Sequence, residues 1–182
     1  MASEETRVVV LDGANQFNPY MVSSFARRVL IPPEKLLKGI QIARAFTCYQ
    51  MAALMGEKLA VLLEQEGMIT RGQKPWVVLL GPITTFLDED VPERESRPLF
   101  ERSLRRIEEL SEEGVPFFLF QSCIPIHVKR RYFMGRLLQF ANLVLRIALD
   151  DEGCKVVLEK EPTESQITNG QKTGRLGDAV TR

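Results

Sequence analysis

The stretch Arg7–Pro19, RVVVLDGANQFNP, decides how the rest of the chain is read. Arg7–Leu11 is a short β-branched run of the kind that forms a buried strand, and Asp12-Gly13 ends it. Asn18-Pro19 then opens a helical segment, Tyr20–Val29. Pro32-Pro33 breaks that helix, Glu34–Lys38 adds one more turn, and Gly39–Arg44 (GIQIAR) reads as a second strand. Further along, Cys48–Gln65 carries Met51, Met55, Leu59 and Leu62 at steps of three and four, the pattern of a long amphipathic helix with Gly67 as its stop. Trp76–Leu80 (WVVLL) is a third strand, cut by Gly81-Pro82. An acidic loop, Asp88–Ser96, leads to a helix over Pro98–Glu113, with Phe100, Leu104, Ile107 and Leu110 on its apolar face and Gly114 just beyond it. Pro116–Phe120 (PFFLF) is a fourth strand. Asn142–Leu149 and Cys154–Glu159 flank Asp150-Asp151-Glu152-Gly153 as a terminal β-hairpin. Strands separated by long helices imply βαβ units and a largely parallel sheet, so the fold class is α/β.

The chain's 182 residues suffice for one domain with a sizeable core. We expect that domain to span 1–162. The polar remainder, 163–182, has too few apolar residues to pack and is expected to be disordered. Lys and Arg number 24 and Asp and Glu number 24, which argues against a protein that coats nucleic acid or anionic membrane by bulk charge. The three cysteines, Cys48, Cys123 and Cys154, are widely spaced, and His127 is the one histidine. A structural zinc site needs about four closely spaced ligands and is excluded, and the cysteine usage suits a reducing cytoplasm. Cys123, after an apolar strand, is expected to be a small buried hydrophobe. The polar start MASEETR is not a signal peptide, and no apolar run approaches the ~20 residues of a membrane span.

Several stretches carry a family resemblance. Leu11–Pro19 (LDGANQFNP) sits where the RecA/RadA recombinase family has a pattern like I-D-T-E-G-T-F-x-P, and Gly39–Phe46 (GIQIARAF) matches its N-I-x-x-A-R-A-F. Val78–Pro82 corresponds to the family strand ending L-I-V-D-S, Gly114–Ser122 to G-V-x-V-V-x-T-N-Q, and Asn142–Glu159 to the closing hairpin. The chain thus resembles this family from Arg7 to Pro162. The resemblance implies a RecA-like three-layer fold with a mostly parallel sheet, truncated at its N-terminus.

The departures bear on activity. The phosphate-cradling loop G-x-x-x-x-G-K-[ST] does not occur in these 182 residues, and we expect the few residues before Arg7 to leave it no room. The family's water-activating Glu falls at Ala14, and its metal-associated Asp falls at Gly81. With three parts of a phosphoryl-transfer site gone, we expect no enzyme activity, no cofactor and no metal. Gln121, one place before the family's phosphate-sensing Gln, is expected to satisfy backbone groups at a strand end.

One segment, Ile126–Arg136 (IHVKRRYFMGR), interleaves cations with aromatics in the way single-strand binding needs, and lies where the family has a DNA-binding loop. Its candidate nucleic-acid contacts are Lys129, Arg130, Arg131, Tyr132, Phe133 and Arg136. The other reading is a basic helix start, with Phe133, Leu137 and Phe140 packed inward and the charges solvated. The family's other DNA loop corresponds to Leu87–Arg97, which is acidic here and repels phosphate. Asp88, Glu89 and Asp90 read as solvated rather than cation-binding. Arg102, Arg105 and Arg106 with Glu101, Glu108 and Glu109 read as an ion-paired outer face.

The resemblance therefore implies a non-catalytic accessory or scaffold protein of recombination or DNA repair. It would act through a protein partner or self-association, with weak single-stranded DNA binding in addition. The alternative is half of a composite ATPase completed by a partner, lending Arg44, Arg131 or Arg136 to the partner's nucleotide.

Overall fold

The computed structural model describes residues 7–65, 74–123, 130–151 and 153–162. It divides into two compact units, residues 1–134 and 135–182, where the sequence reading places one domain. The expected tail, 163–182, lies outside the described residues.

The first unit is α/β. Its strands are β1 (Val8–Asp12), β2 (Ile40–Arg44), β3 (Trp76–Leu80) and β4 (Phe117–Phe120), and all pair in parallel in the order β2-β1-β3-β4. In register, Val10 sits between Ile42 and Val78, and Val78 opposes Phe118. Helices α1 (Pro19–Arg28) and α2 (Pro33–Lys38) link β1 to β2. Asn18 caps α1 by accepting the Tyr20 N–H at 2.9 Å. From β2 the chain enters α3 (Cys48–Ala53), runs through a π-helical turn at Leu54–Lys58 into α4 (Leu59–Gln65), and returns to β3. A short 3-10 turn (Thr84–Leu87) and α5 (Glu93–Glu112) then lead to β4. The crossovers β1→β2 and β2→β3 run in opposite directions across the sheet. Right-handed connections therefore place α1 and α2 on one face, and α3, α4 and α5 on the other.

The core lies beneath that second group. Val9, Leu11, Val77 and Leu79 point there and are buried. So are Met51, Met55, Leu59 and Leu63 from α3–α4, and Phe100, Leu104, Ile107 and Leu110 from α5. Burying each such side chain contributes about 1.5–3 kcal/mol.

Helix α5 starts at Glu93, not at Pro98 as the position of the proline implies. Pro98 lies inside the helix. Its missing N–H removes one backbone bond near the start. Glu93 and Glu95 in the first turn compensate by facing the positive helix end, and Glu93 also pairs with Arg97 at 2.8 Å. Cys123 is a second correction, because it is exposed. Strand β4 ends at Phe120, so Cys123 falls beyond the packed layer. Cys48, by contrast, is buried at the start of α3, and burial pushes its thiol above the ordinary range. We therefore predict that a thiol reagent at neutral pH labels Cys123 rapidly and Cys48 only on unfolding, at least ~100-fold more slowly. Equal labelling rates, read by mass spectrometry, would contradict this placement.

Helix α6 (Arg131–Phe140) spans the boundary between the units. The second unit holds an antiparallel hairpin, β5 (Val144–Asp150) and β6 (Gly153–Lys160). The Lys160 ammonium donates to the carbonyls of Leu138, Gln139 and Ala141 at 3.3, 2.8 and 2.5 Å, closing the C-terminal end of α6 with a positive charge.

Candidate functional site

In an open α/β sheet, ligands enter the crevice beyond the C-terminal ends of the strands. Here that crevice is bounded by Asp12–Phe17 after β1, Gly81–Ile83 after β3, and Gln121-Ser122 after β4. The first two turns touch. Gly81 holds φ at +61°, and a Cβ built there would lie 2.5 Å from both the Ala14 Cβ and the Thr84 Oγ1, so only glycine fits. Ala14 and Gly81 are the positions that the family resemblance aligns with a water-activating Glu and a metal-associated Asp. The fold brings them together, and neither carries a carboxylate.

The carboxylate that is present, Asp12, is fully buried. It accepts the N–H groups of Ala14, Gln16 and Phe17 at 3.2, 3.1 and 2.9 Å. The Arg44 Nε lies 3.6 Å from it, and the Arg44 Nη2 donates to the Phe17 carbonyl at 3.1 Å. Around it, the Gly13 N–H donates to the Leu80 carbonyl, and the Gly81 N–H to the Phe120 carbonyl, both at 2.8 Å. The Ile83 N–H donates to the Gln121 Oε1 at 3.2 Å, so Gln121 satisfies a backbone group as expected. These donors, which could otherwise cradle an anion, all face protein oxygens. Sequence reasoning had Asp12 only as a strand terminator. The usable signal was an Asp leaving a buried strand just before Gly13, where its oxygens can reach the following amides.

The basic segment is placed differently from the nucleic-acid reading. His127 and Lys129 lie outside the described residues. Arg130 is only 6% exposed. Its Nη1 donates to the Phe86 carbonyl at 2.9 Å and to the Ser96 Oγ at 3.3 Å. Its Nη2 donates to the carbonyls of Asp88 and Val91, each at 2.7 Å. The guanidinium fork thus ties together the Phe86–Ser96 turn and is not offered to phosphate. Phe133 is fully buried, with its ring centroid 5.8 Å from Phe86 and 5.3 Å from Phe100, so it cannot stack on a base. Tyr132 donates its hydroxyl to Glu101 at 2.5 Å and carries the Arg97 guanidinium 4.2 Å above its ring. Arg136 donates to the Gln139 Oε1 at 3.2 Å, and Arg131 is exposed. The helix-start reading places Phe133 and Leu137 inside, where they are found, but Arg130 is buried with them rather than solvated.

Elsewhere, Arg106 pairs with Glu109 at 2.6 Å beside an open groove of about 310 Å³ between α3 and α5. Among the described residues, no group of three His, Cys, Asp or Glu side chains is close enough to hold a metal ion. Among the same residues, no helix is long and apolar enough to cross a membrane.

A further exposed apolar feature is the sheet face on the α1–α2 side. There β3 and β4 present Trp76, Phe118 and Phe120, which are 45%, 41% and 54% exposed. Trp76 and Phe118 stack with centroids 4.9 Å apart and planes 16° from parallel. Parallel sheets normally have both faces covered by helices, and here, among the described residues, the β3–β4 part of this face is left exposed. The outer edge of β4 also pairs with no strand among the described residues. No protein-family model matches the chain, and no curated protein matches it.

Proposed function

We propose that the chain is a non-catalytic RecA-like accessory or scaffold domain of recombination or repair, which binds a protein partner through the bare sheet face at Trp76, Phe118 and Phe120. The single observation that carries this is the stacked aromatic pair exposed on a parallel sheet, next to a strand edge that is unpaired among the described residues. The α/β layout, with its four parallel strands, is compatible with the RecA-like assignment. The absence of catalysis is supported by Ala14 and Gly81 meeting where carboxylates would be needed, with the neighbouring donors satisfied internally. Single-stranded DNA is not the favoured ligand, because Arg130 and Phe133 are buried and the Tyr132 ring is already covered by Arg97.

The test joins two measurements. We expect ATP turnover by the purified chain to stay at background. We also expect the triple change W76S/F118S/F120S to keep the far-UV circular dichroism spectrum while weakening capture of the native partner, by about 30-fold for each aromatic that acts as a hot spot. Turnover by the isolated chain above background overturns the non-catalytic reading. Partner capture indifferent to the triple change overturns the assignment of the face.

A further inference from the structure

The hairpin of the second unit carries an uncovered surface of its own. β5 and β6 pair Leu145 with Leu158, Ile147 with Val156 and Leu149 with Cys154. Cross-strand partners point to the same side of a sheet, so these six residues share one side. All six are apolar and exposed, from 48% at Leu158 to 62% at Ile147 and 84% at Leu149. Arg146 lies on the opposite side, where its Nε pairs with Glu159 at 2.6 Å. That opposite side is mixed, with Lys155 beside Ala148 and with Val157 42% exposed, so the side of the six is the one that is apolar throughout. An isolated two-stranded hairpin is marginally stable in water, and its apolar side gains stability only when something covers it.

We propose that this face pairs with the same face of a second copy about a two-fold axis, forming a small four-stranded sandwich. Two features select a second copy as the occupant. The face carries no charge, so like meets like without electrostatic conflict, as an isologous contact requires. From their exposures, these side chains offer at most roughly 500 Å² per copy and about 1,000 Å² for a pair, the size of a weak, reversible contact rather than of a permanent one. The surface lies on a different unit from Trp76, Phe118 and Phe120, so the inference stands independently of the proposed function.

The geometry makes a sharp prediction. The two-fold axis lies in the plane between the two faces, along the strands or across them. In either orientation the middle pair, Ile147 and Val156, stays in the middle and meets its own counterparts, with sheets ~10 Å apart. With Cys123 and Cys154 both changed to Ser, Ile147→Cys should give a covalent dimer with a bismaleimide of about 10 Å span, and Ala148→Cys on the opposite side should not. In light scattering on the full chain, Ile147→Lys should raise the dimer–monomer midpoint at least about 30-fold, while W76S/F118S/F120S should leave it unchanged. Circular dichroism checks that the lysine variant remains folded, and the cross-linking result stands without it. A chain that stays monomeric up to roughly 100 μM and forms no cross-link at position 147 overturns the proposal. Equal cross-linking at 147 and 148 also overturns it, as does a monomer in which the cysteine at 147 is shielded from reagent. Loss of partner capture in the sheet-face variant with dimerisation intact tests the other face alone.

Discussion

Replacing Arg130 with alanine lowers the free energy of unfolding by about 3 kcal/mol, an effect expected of a core residue rather than of a basic surface patch. Two guanidinium nitrogens satisfy three carbonyls and one hydroxyl, drawn from Phe86, Asp88, Val91 and Ser96. A hydrogen bond to a charged group contributes about 1.5–3 kcal/mol, and a buried acceptor stranded by truncation costs about 1–3 kcal/mol. Water entering the vacated space recovers part of that sum. The loss also reaches the neighbouring aromatic cluster, because the Phe86 carbonyl is held by Arg130 while the Phe86 ring packs 5.1 Å from Phe100. Arg130→Lys should recover little, since a compact ammonium cannot span acceptors arranged for a planar fork. Arg131→Ala, one residue along and exposed, should stay within about 0.5 kcal/mol of wild type. Urea unfolding checks this as a shift in midpoint with unchanged slope. If Arg130→Ala costs less than ~1 kcal/mol, the side chain is solvated and returns to the set of candidate phosphate contacts.

Asp12→Ala should be comparably damaging, at about 3 kcal/mol or roughly 10 °C in Tm. The buried carboxylate is the common acceptor for three amides of the β1 turn, at Ala14, Gln16 and Phe17. Alanine strands all three in a tightly packed place, because Gly13 and Gly81 leave no room for the turn to shift. Asp12→Asn should cost less, since its one carbonyl oxygen keeps part of the acceptor capacity while its amide group meets donors. Arg44 is half exposed and stays solvated when its partner is removed, so it adds little to the loss. Amide exchange gives the second readout, with protection at Gln16 and Phe17 falling together in Asp12→Ala. Unchanged stability would mean that this carboxylate is free to act on a ligand, and would reopen the crevice as a binding site.

Most of the first unit's framework was legible along the chain. The third strand matches its expected bounds at Trp76–Leu80, and all four apolar positions read on α5 are buried. Strands and helices declare themselves through alternation and through steps of three and four, which are local properties. The candidate site was less legible. Ala14 and Gly81 could be identified as lacking carboxylates, but their contact across two turns could not be seen in one dimension. Arg130 misled for a related reason. Beside Lys129, Arg131 and Arg136 it looks like one more surface cation, yet its partners lie 34–44 residues earlier in the chain. Cys123 and the start of α5 failed similarly, since each depends on where a neighbouring element ends.

By itself, then, the order of residues determined most element types, the α/β class, most of the helix positions that pack inward and the lack of a carboxylate at positions 14 and 81. Only the tertiary structure decided which polar side chains are buried and satisfied, and which apolar faces, at Trp76–Phe118 and on the hairpin, remain bare. The physical reason is range. Backbone preference and amphipathic period act over a few residues, whereas burial is set by elements that meet after long excursions of the chain, and so whether an arginine faces water or carbonyl oxygens is not encoded in its immediate neighbours.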